Sequence, residues 1–205
     1  MRVKICGITS VDDAFATANA GADALGLVFY ASSPRAVSLE QASRISQAAG
    51  PFVSVTGLFV DADPALVHSV LDQVPLQLLQ FHGDETEAYC ASFKRPYMKA
   101  IRMRPDLDVI AEIARYPSAS GILLDAYRPG VPGGTGETFD WARVPRGLST
   151  PIVLAGGLTV ANVGGAIAAT SVYGVDVSGG VESSPGKKDH EKIASFINNA
   201  RHAAR

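Results

Sequence analysis

Short apolar runs recur along the chain, each followed by a turn and then by a stretch whose apolar residues stand three and four apart. The runs begin near Val3, Ala24, Ser54, Leu76, Tyr97, Gly121, Ile152 and Tyr173, in steps of 21 to 31 residues. Each step accommodates one strand, one loop and one helix. Leu39, Ala42, Ile45 and Ala49 trace one face of an amphipathic helix, as do Leu66, Val70 and Val74, and Ile193, Phe196, Ile197 and Ala200. Ser10 before Asp13 and Ser38 before Gln41 stand at capping-box spacing, and Asp63 before Pro64 sets a capping oxygen ahead of a first-turn proline. The runs at Ala24–Phe29 and Ser54–Val60 are near-continuously hydrophobic, the mark of parallel strands buried on both faces. Strict alternation leaves an open doubly wound sheet or a closed barrel, and eight units favour the barrel. The expectation is an α/β chain, a single (β/α)8 TIM barrel domain over residues 1–205, near the lower limit of length for that fold.

Composition narrows the partners. A chain of 205 residues, 47% apolar and 19% charged, is long enough to bury a sizeable core, so disorder and small disulfide-stapled scaffolds are excluded. With 18 Lys and Arg against 20 Asp and Glu, a net charge of −2 supplies no basic patch for nucleic acid or an anionic membrane. No segment approaches the roughly 18 uninterrupted apolar residues of a membrane span, and Met1–Gly7 lacks the pattern of a secretory signal. The expectation is therefore a small-molecule substrate, no nucleic acid and no membrane. Cys6 and Cys90 sit in no CxxC or Cys/His cluster, so no metal site is signalled and a reducing, cytoplasmic location is expected.

In barrels of this kind the active site lies at the carboxyl ends of the strands. Polar residues at those positions are few: Cys6, Arg35, Asp61, His82, Arg102, Asp125, Gly156 with Gly157, and Asp176 with Ser178, Gly179 and Gly180. The last two strands, Ile152–Gly157 and Val175–Gly180, both end in Gly-Gly and lead toward a helical start, where bare backbone N–H groups can approach an anion. Paired loops after strands seven and eight form the phosphate site of many barrels; the plainer reading is two tight turns. Cys6 is either a small buried hydrophobe or a base, the latter requiring a usable thiolate fraction. Cys90 reads as helix packing. Asp125 ends an apolar strand and opens the longest connection, so it is either a desolvated general acid or a cap. Asp176 either faces the substrate or hydrogen-bonds within the barrel, and His82 either orients substrate or satisfies backbone groups. Arg35 has the fork geometry for a carboxylate, or is an ordinary solvated arginine. Gly133–Thr138 has no lysine for a Walker A loop and the wrong register for a dinucleotide turn, and reads as a glycine-hinged lid.

The runs Lys4-Ile-Cys-Gly-Ile-Thr9, Ser33-Pro-Arg35, Leu79-Gln-Phe-His-Gly-Asp-Glu85, Gly133-Gly-Thr-Gly136 after Asp125 and ahead of Phe139-Asp-Trp141, Leu154-Ala-Gly-Gly-Leu158 and Gly174-Val-Asp-Val-Ser-Gly-Gly-Val-Glu182 with Pro185-Gly186 resemble the phosphoribosylanthranilate isomerase family in order along essentially the whole chain. The resemblance implies a barrel of the ribulose-phosphate-binding type and an aldose–ketose isomerase of tryptophan biosynthesis. Its reaction would be the Amadori rearrangement of N-(5-phosphoribosyl)anthranilate to 1-(2-carboxyphenylamino)-1-deoxyribulose 5-phosphate. It implies Asp125 as general acid, Cys6 as general base, Arg35 on the anthranilate carboxylate and the backbone of Gly156, Gly157, Ser178, Gly179 and Gly180 on the phosphate. Asp176 would lie near the sugar hydroxyls and His82 would support. No cofactor and no metal are implied, and the chain would be a monomer or a homodimer. Two departures stand out: Ser178-Gly179-Gly180 where the family often has Ser-Ser-Gly, and Phe81 where it often has Leu. The histidine-pathway isomerase would call for an aspartate at Cys6 and a phosphate site in each half. Tryptophan synthase α subunit would want a carboxylate pair, and a non-catalytic phosphate-binding barrel would make Cys6 inert.

Overall fold

The computed structural model describes residues 1–127 and 138–204. Strands β1 (Arg2–Cys6), β2 (Ala24–Val28), β3 (Ser54–Phe59), β4 (Leu78–Phe81), β5 (Tyr97–Met103), β6 (Gly121–Ala126), β7 (Ile152–Leu154) and β8 (Gly174–Val177) pair in chain order. All pairings are parallel, and β8 returns to β1 to close the barrel. Helices α1 (Val11–Asn19), α2 (Leu39–Ala48), α3 (Pro64–Gln73), α4 (Glu87–Ser92), α5 (Val109–Ala114), α6 (Val163–Ala169) and α7 (His190–Ala203) cover the outside.

Local chemistry sets the helix starts. The Ser10 and Ser38 hydroxyls accept from the Asp13 and Gln41 N–H, and the Asp63 carboxylate accepts from Ala65 N–H one residue past Pro64. Each satisfies a donor that the first helical turn leaves unpaired. Thr86, Asp108 and Asp189 cap α4, α5 and α7 in the same way. The sixth unit departs from the expected pattern, since between β6 and β7 the described residues hold only one 3-10 turn, Trp141–Arg143, capped by Asp140. Pro145 accounts for its shortness: it pushes Val144 into extended backbone (ψ 118°), which ends the turn. After β8 the chain makes another 3-10 turn, Gly179–Val181, and a small hairpin of β9 (Glu182–Ser184) and β10 (Lys187–Lys188) before α7 begins. The helical starts toward which the two Gly-Gly pairs lead are at Val163 and, beyond the hairpin, at His190.

Alternation along each strand divides two cores. Ile5, Leu25, Leu27, Phe59, Phe81, Leu124 and Val175 point outward into the layer between strands and helices. Inside the barrel, Met98, Ala100, Leu123 and Ala155 form a separate packed cluster, and Cys6, Val28 and Leu58 form another. The interior is thus filled by side chains, and the second cluster floors the open mouth.

Candidate active site

A cavity of about 800 Å³ opens at the carboxyl ends of the strands. Cys6, Arg35, His82, Asp125, Gly156, Gly157, Asp176, Ser178, Gly179 and Gly180 all line it. Asp61 and Arg102 do not join them, opening instead onto a second cavity of about 500 Å³ beside β4 and β5. Residues 128–137, with the glycines read as a lid, lie outside the described residues.

On the β1 side, Cys6 and Lys4 share the inward face, since they are two residues apart on a strand. The Lys4 ammonium donates to the Asp176 carboxylate across the β1–β8 pairing at 2.9 Å. Burial works against that ammonium, but Asp176 and the Cys6 sulfur outweigh it and hold its pKa above the ordinary lysine value. Burial pushes the Cys6 thiol up; Lys4 and then Lys188 pull it down, while Asp176 adds to the rise.

On the β6 side, Asp125 is 5% exposed, and its Oδ1 accepts from the Ala126 N–H at 2.9 Å. Its Oδ2 lies 3.0 Å from His82 Nε2, and His82 Nδ1 lies 3.0 Å from Gln80 Nε2. The imidazole thus bridges the Gln80 amide and the Asp125 carboxyl through its two ring nitrogens. The turn carrying His82 is held from behind. Glu85 accepts from the Asp61 and Gly83 N–H groups, and its carboxylate meets the buried Lys99 ammonium at 3.1 Å. The sequence His-Gly-Asp-Glu therefore carries a brace, Glu85, as well as the imidazole.

The rim joins Arg35 to the two glycine loops. Arg35 Nε and Nη2 both bond the Glu182 carboxylate at 2.8 Å, which raises the guanidinium pKa and pulls Glu182 below the usual carboxylate range despite its burial. Lys188 shares that carboxylate at 2.8 Å and donates to the Ser178 carbonyl at 3.2 Å. The loops themselves interlock. A Cβ on Gly180 would collide with the Leu158 carbonyl, and one on Gly156 would collide with the Ala126 N–H. Asn162 leaves α6 uncapped by its side chain and instead donates to the Gly157 carbonyl at 2.9 Å while accepting from Thr159 N–H. Two stretches of main chain thus meet at the cavity rim with no side chain between them.

Sequence reasoning missed Lys4, Gln80, Lys99, Glu182 and Lys188 as working parts. A signal existed for the first three, because each is a polar residue inside a strand whose apolar neighbours mark it as buried on both faces. Glu182 and Lys188 carried none, since both lie on the unforeseen hairpin.

A family model described as N-(5'-phosphoribosyl)anthranilate (PRA) isomerase matches residues 3–199. The chain is 70% identical over 204 residues to N-(5'-phosphoribosyl)anthranilate isomerase of Cellvibrio japonicus, covering 100% of this chain and 95% of that one. It is also similar to the crystal structure of phosphoribosyl anthranilate isomerase from Thermotoga maritima, with a TM-score of 0.87 and 39% identity over 98% of this chain and 99% of that one. A further solved isomerase, in complex with reduced 1-(o-carboxyphenylamino)-1-deoxyribulose 5-phosphate, superposes with a TM-score of 0.84 at 38% identity, again over 98% and 99% of the two chains. The match runs through the whole barrel, and the chain belongs to the N-(5'-phosphoribosyl)anthranilate isomerase family of isomerases.

Proposed function

We propose that the chain catalyses the Amadori rearrangement of N-(5'-phosphoribosyl)anthranilate in tryptophan biosynthesis, with Asp125 as general acid and Cys6 as general base. The observation that carries this reading is the placement of both groups on one cavity, Cys6 from β1 and Asp125 from β6, with the glycine loops between them on the β7–β8 arc. Asp125 is the proton donor, with His82 Nε2 3.0 Å from its Oδ2. Its carboxylic acid proton passes to the ribose ring oxygen as the ring C–O bond breaks, leaving an open-chain iminium. The iminium acidifies the neighbouring C2–H, so the Cys6 sulfur, although its pKa is raised by burial, is a sufficient base. The C2 electrons flow into the C1–C2 bond to give an enolamine, which tautomerises to the ketone.

The remaining lining residues bind. Backbone N–H groups of the Gly156–Gly157 and Ser178–Gly180 loops hold the phosphate, and Asp176 sits beside the sugar. Arg35, preset by Glu182, offers its remaining guanidinium donors to the anthranilate carboxylate. The product-like ligand named with the solved relative, a carboxyphenylamino deoxyribulose phosphate, has one group for each of these parts.

The test follows loss of anthranilate-type fluorescence from the phosphoribosyl substrate in wild type, Cys6→Ala and Asp125→Ala. Both variants are expected to lose at least about a hundredfold in turnover, the usual size of a general acid or base effect, while keeping affinity for a sugar-phosphate ligand. Full activity in either variant would remove that residue from the mechanism, and an inactive wild type would overturn the function.

A further inference from the structure

Neither proton transfer uses Lys4 directly, yet it is a lysine 6% exposed inside a barrel. Lys4 and Cys6 project from the same face of β1, and Cys6 is paired with Gly26 of β2. A Cβ on Gly26 would stand 2.8 Å from the Cys6 sulfur and 3.1 Å from the Lys4 nitrogen. Both heads therefore converge on the space that a side chain at Gly26 would fill. Sulfur and nitrogen are at most about 6 Å apart, within the range over which a charge biases a neighbour's ionisation. The other charged groups around Cys6 each have a partner. Lys188 and Arg35 are both bound to Glu182, Asp176 is bound to Lys4, and Asp125 and His82 pair with each other at the ends of β6 and β4.

We propose that Lys4 is the positioning residue for the base, its ammonium held by Asp176 within about 6 Å of the Cys6 sulfur, where it offsets part of the cost of burying the thiolate that takes the C2 proton. The step balances: the C–H electron pair enters the C1–C2 bond and neutralises the iminium, the proton moves to sulfur, and Lys4 keeps its charge throughout. Asp176 opposes this effect on sulfur by its own charge while holding Lys4 in place, which gives the two residues opposite signatures. The proposal rests on Cys6 as the base, and its test is separable from that reading.

The experiment measures the pH dependence of Cys6 alkylation by iodoacetamide, read by mass spectrometry of the Cys6 peptide so that Cys90 does not contribute. Lys4→Met is expected to shift the alkylation midpoint up by about one pH unit or more, cutting the thiolate fraction at neutral pH about tenfold. Asp176→Asn is expected to shift it down, and Lys4→Arg to restore most of the wild-type profile. The double variant Lys4→Met/Asp176→Asn leaves no unpaired buried charge and keeps the test alive if Lys4→Met fails to fold; its midpoint is expected above wild type. The kcat–pH profile of Lys4→Met should move in parallel with its alkylation midpoint. An unchanged midpoint in folded Lys4→Met or in the double variant, or Lys4→Met and Asp176→Asn shifting it in the same direction, would overturn the proposal. An active Cys6→Ala enzyme alongside shifted midpoints would instead overturn Cys6 as the base and leave the Lys4 coupling standing.

Discussion

Lys99 shows what a buried charge demands at the scale of one residue. The residue is 2% exposed, its ammonium bonded to the Gly83 carbonyl at 2.6 Å and to the Glu85 carboxylate at 3.1 Å, over the ring of Tyr116. Removing one partner of a buried pair leaves an uncompensated charge, which costs about 3–5 kcal/mol. Glu85→Ala should therefore lower the unfolding free energy by that amount in urea titrations. It should also reduce turnover, because Glu85 anchors the turn that aims His82 at Asp125. A stability change under about 1 kcal/mol, the size of an exposed pair, would show that Lys99 is neutralised by other means. Cys90, the other thiol, makes the contrast: it is buried in α4 and its pKa is pushed up to about 12 by burial, so it stays a neutral packing group.

At the scale of elements, the hairpin and loops after β7 and β8 do what the strands cannot. Glu182 on β9 and Lys188 on β10 bring one carboxylate and one ammonium against Ser178 and Arg35, tying the last loop to the loop after β2. Gly180 rests directly on Leu158, so the two main-chain loops move together. Gly180→Ala would force them apart. An overpacked contact of this kind costs about 1–3 kcal/mol of stability, and the expected kinetic signature is a KM raised about tenfold or more with a smaller change in kcat, since each tenfold in binding corresponds to about 1.4 kcal/mol. Competition by inorganic phosphate should weaken in step with KM. Unchanged phosphate competition would detach these loops from phosphate binding.

For the whole molecule, closure is the governing fact. The last helix, α7, buries Ile193, Phe196, Ile197 and Ala200 completely and packs on α1, α6 and β1, so the end of the chain seals its beginning. His190 on the same helix reaches Asp13 of α1 at 2.8 Å. Phe196→Ala should cost about 3–5 kcal/mol, the usual price of a large cavity in a core. Because β8 pairs with β1, that loss should lower one cooperative transition rather than release a single unit. Coincident fluorescence and circular-dichroism unfolding curves would bear this out, and separated transitions would show that the barrel unfolds in parts.

The eight strands were legible from the apolar runs, and their starts fall within two residues of the structure, because a strand buried on both faces leaves a continuous hydrophobic signature. Caps at Ser10, Ser38 and Asp63 were legible because they are short-range bonds between near neighbours. The ten site residues could be proposed from strand-end positions and family motifs, and the structure lines them along one cavity. Which groups touch which was not legible. Lys4 meets Asp176 from 172 positions away, Arg35 meets Glu182 from 147, and His82 meets Asp125 from 43. Local pattern dictates elements because the forces that form them act over a few residues. Charge partners are decided only when the closed barrel brings distant strands side by side and excludes water from between them, and that is where the ionisation of Cys6 is determined.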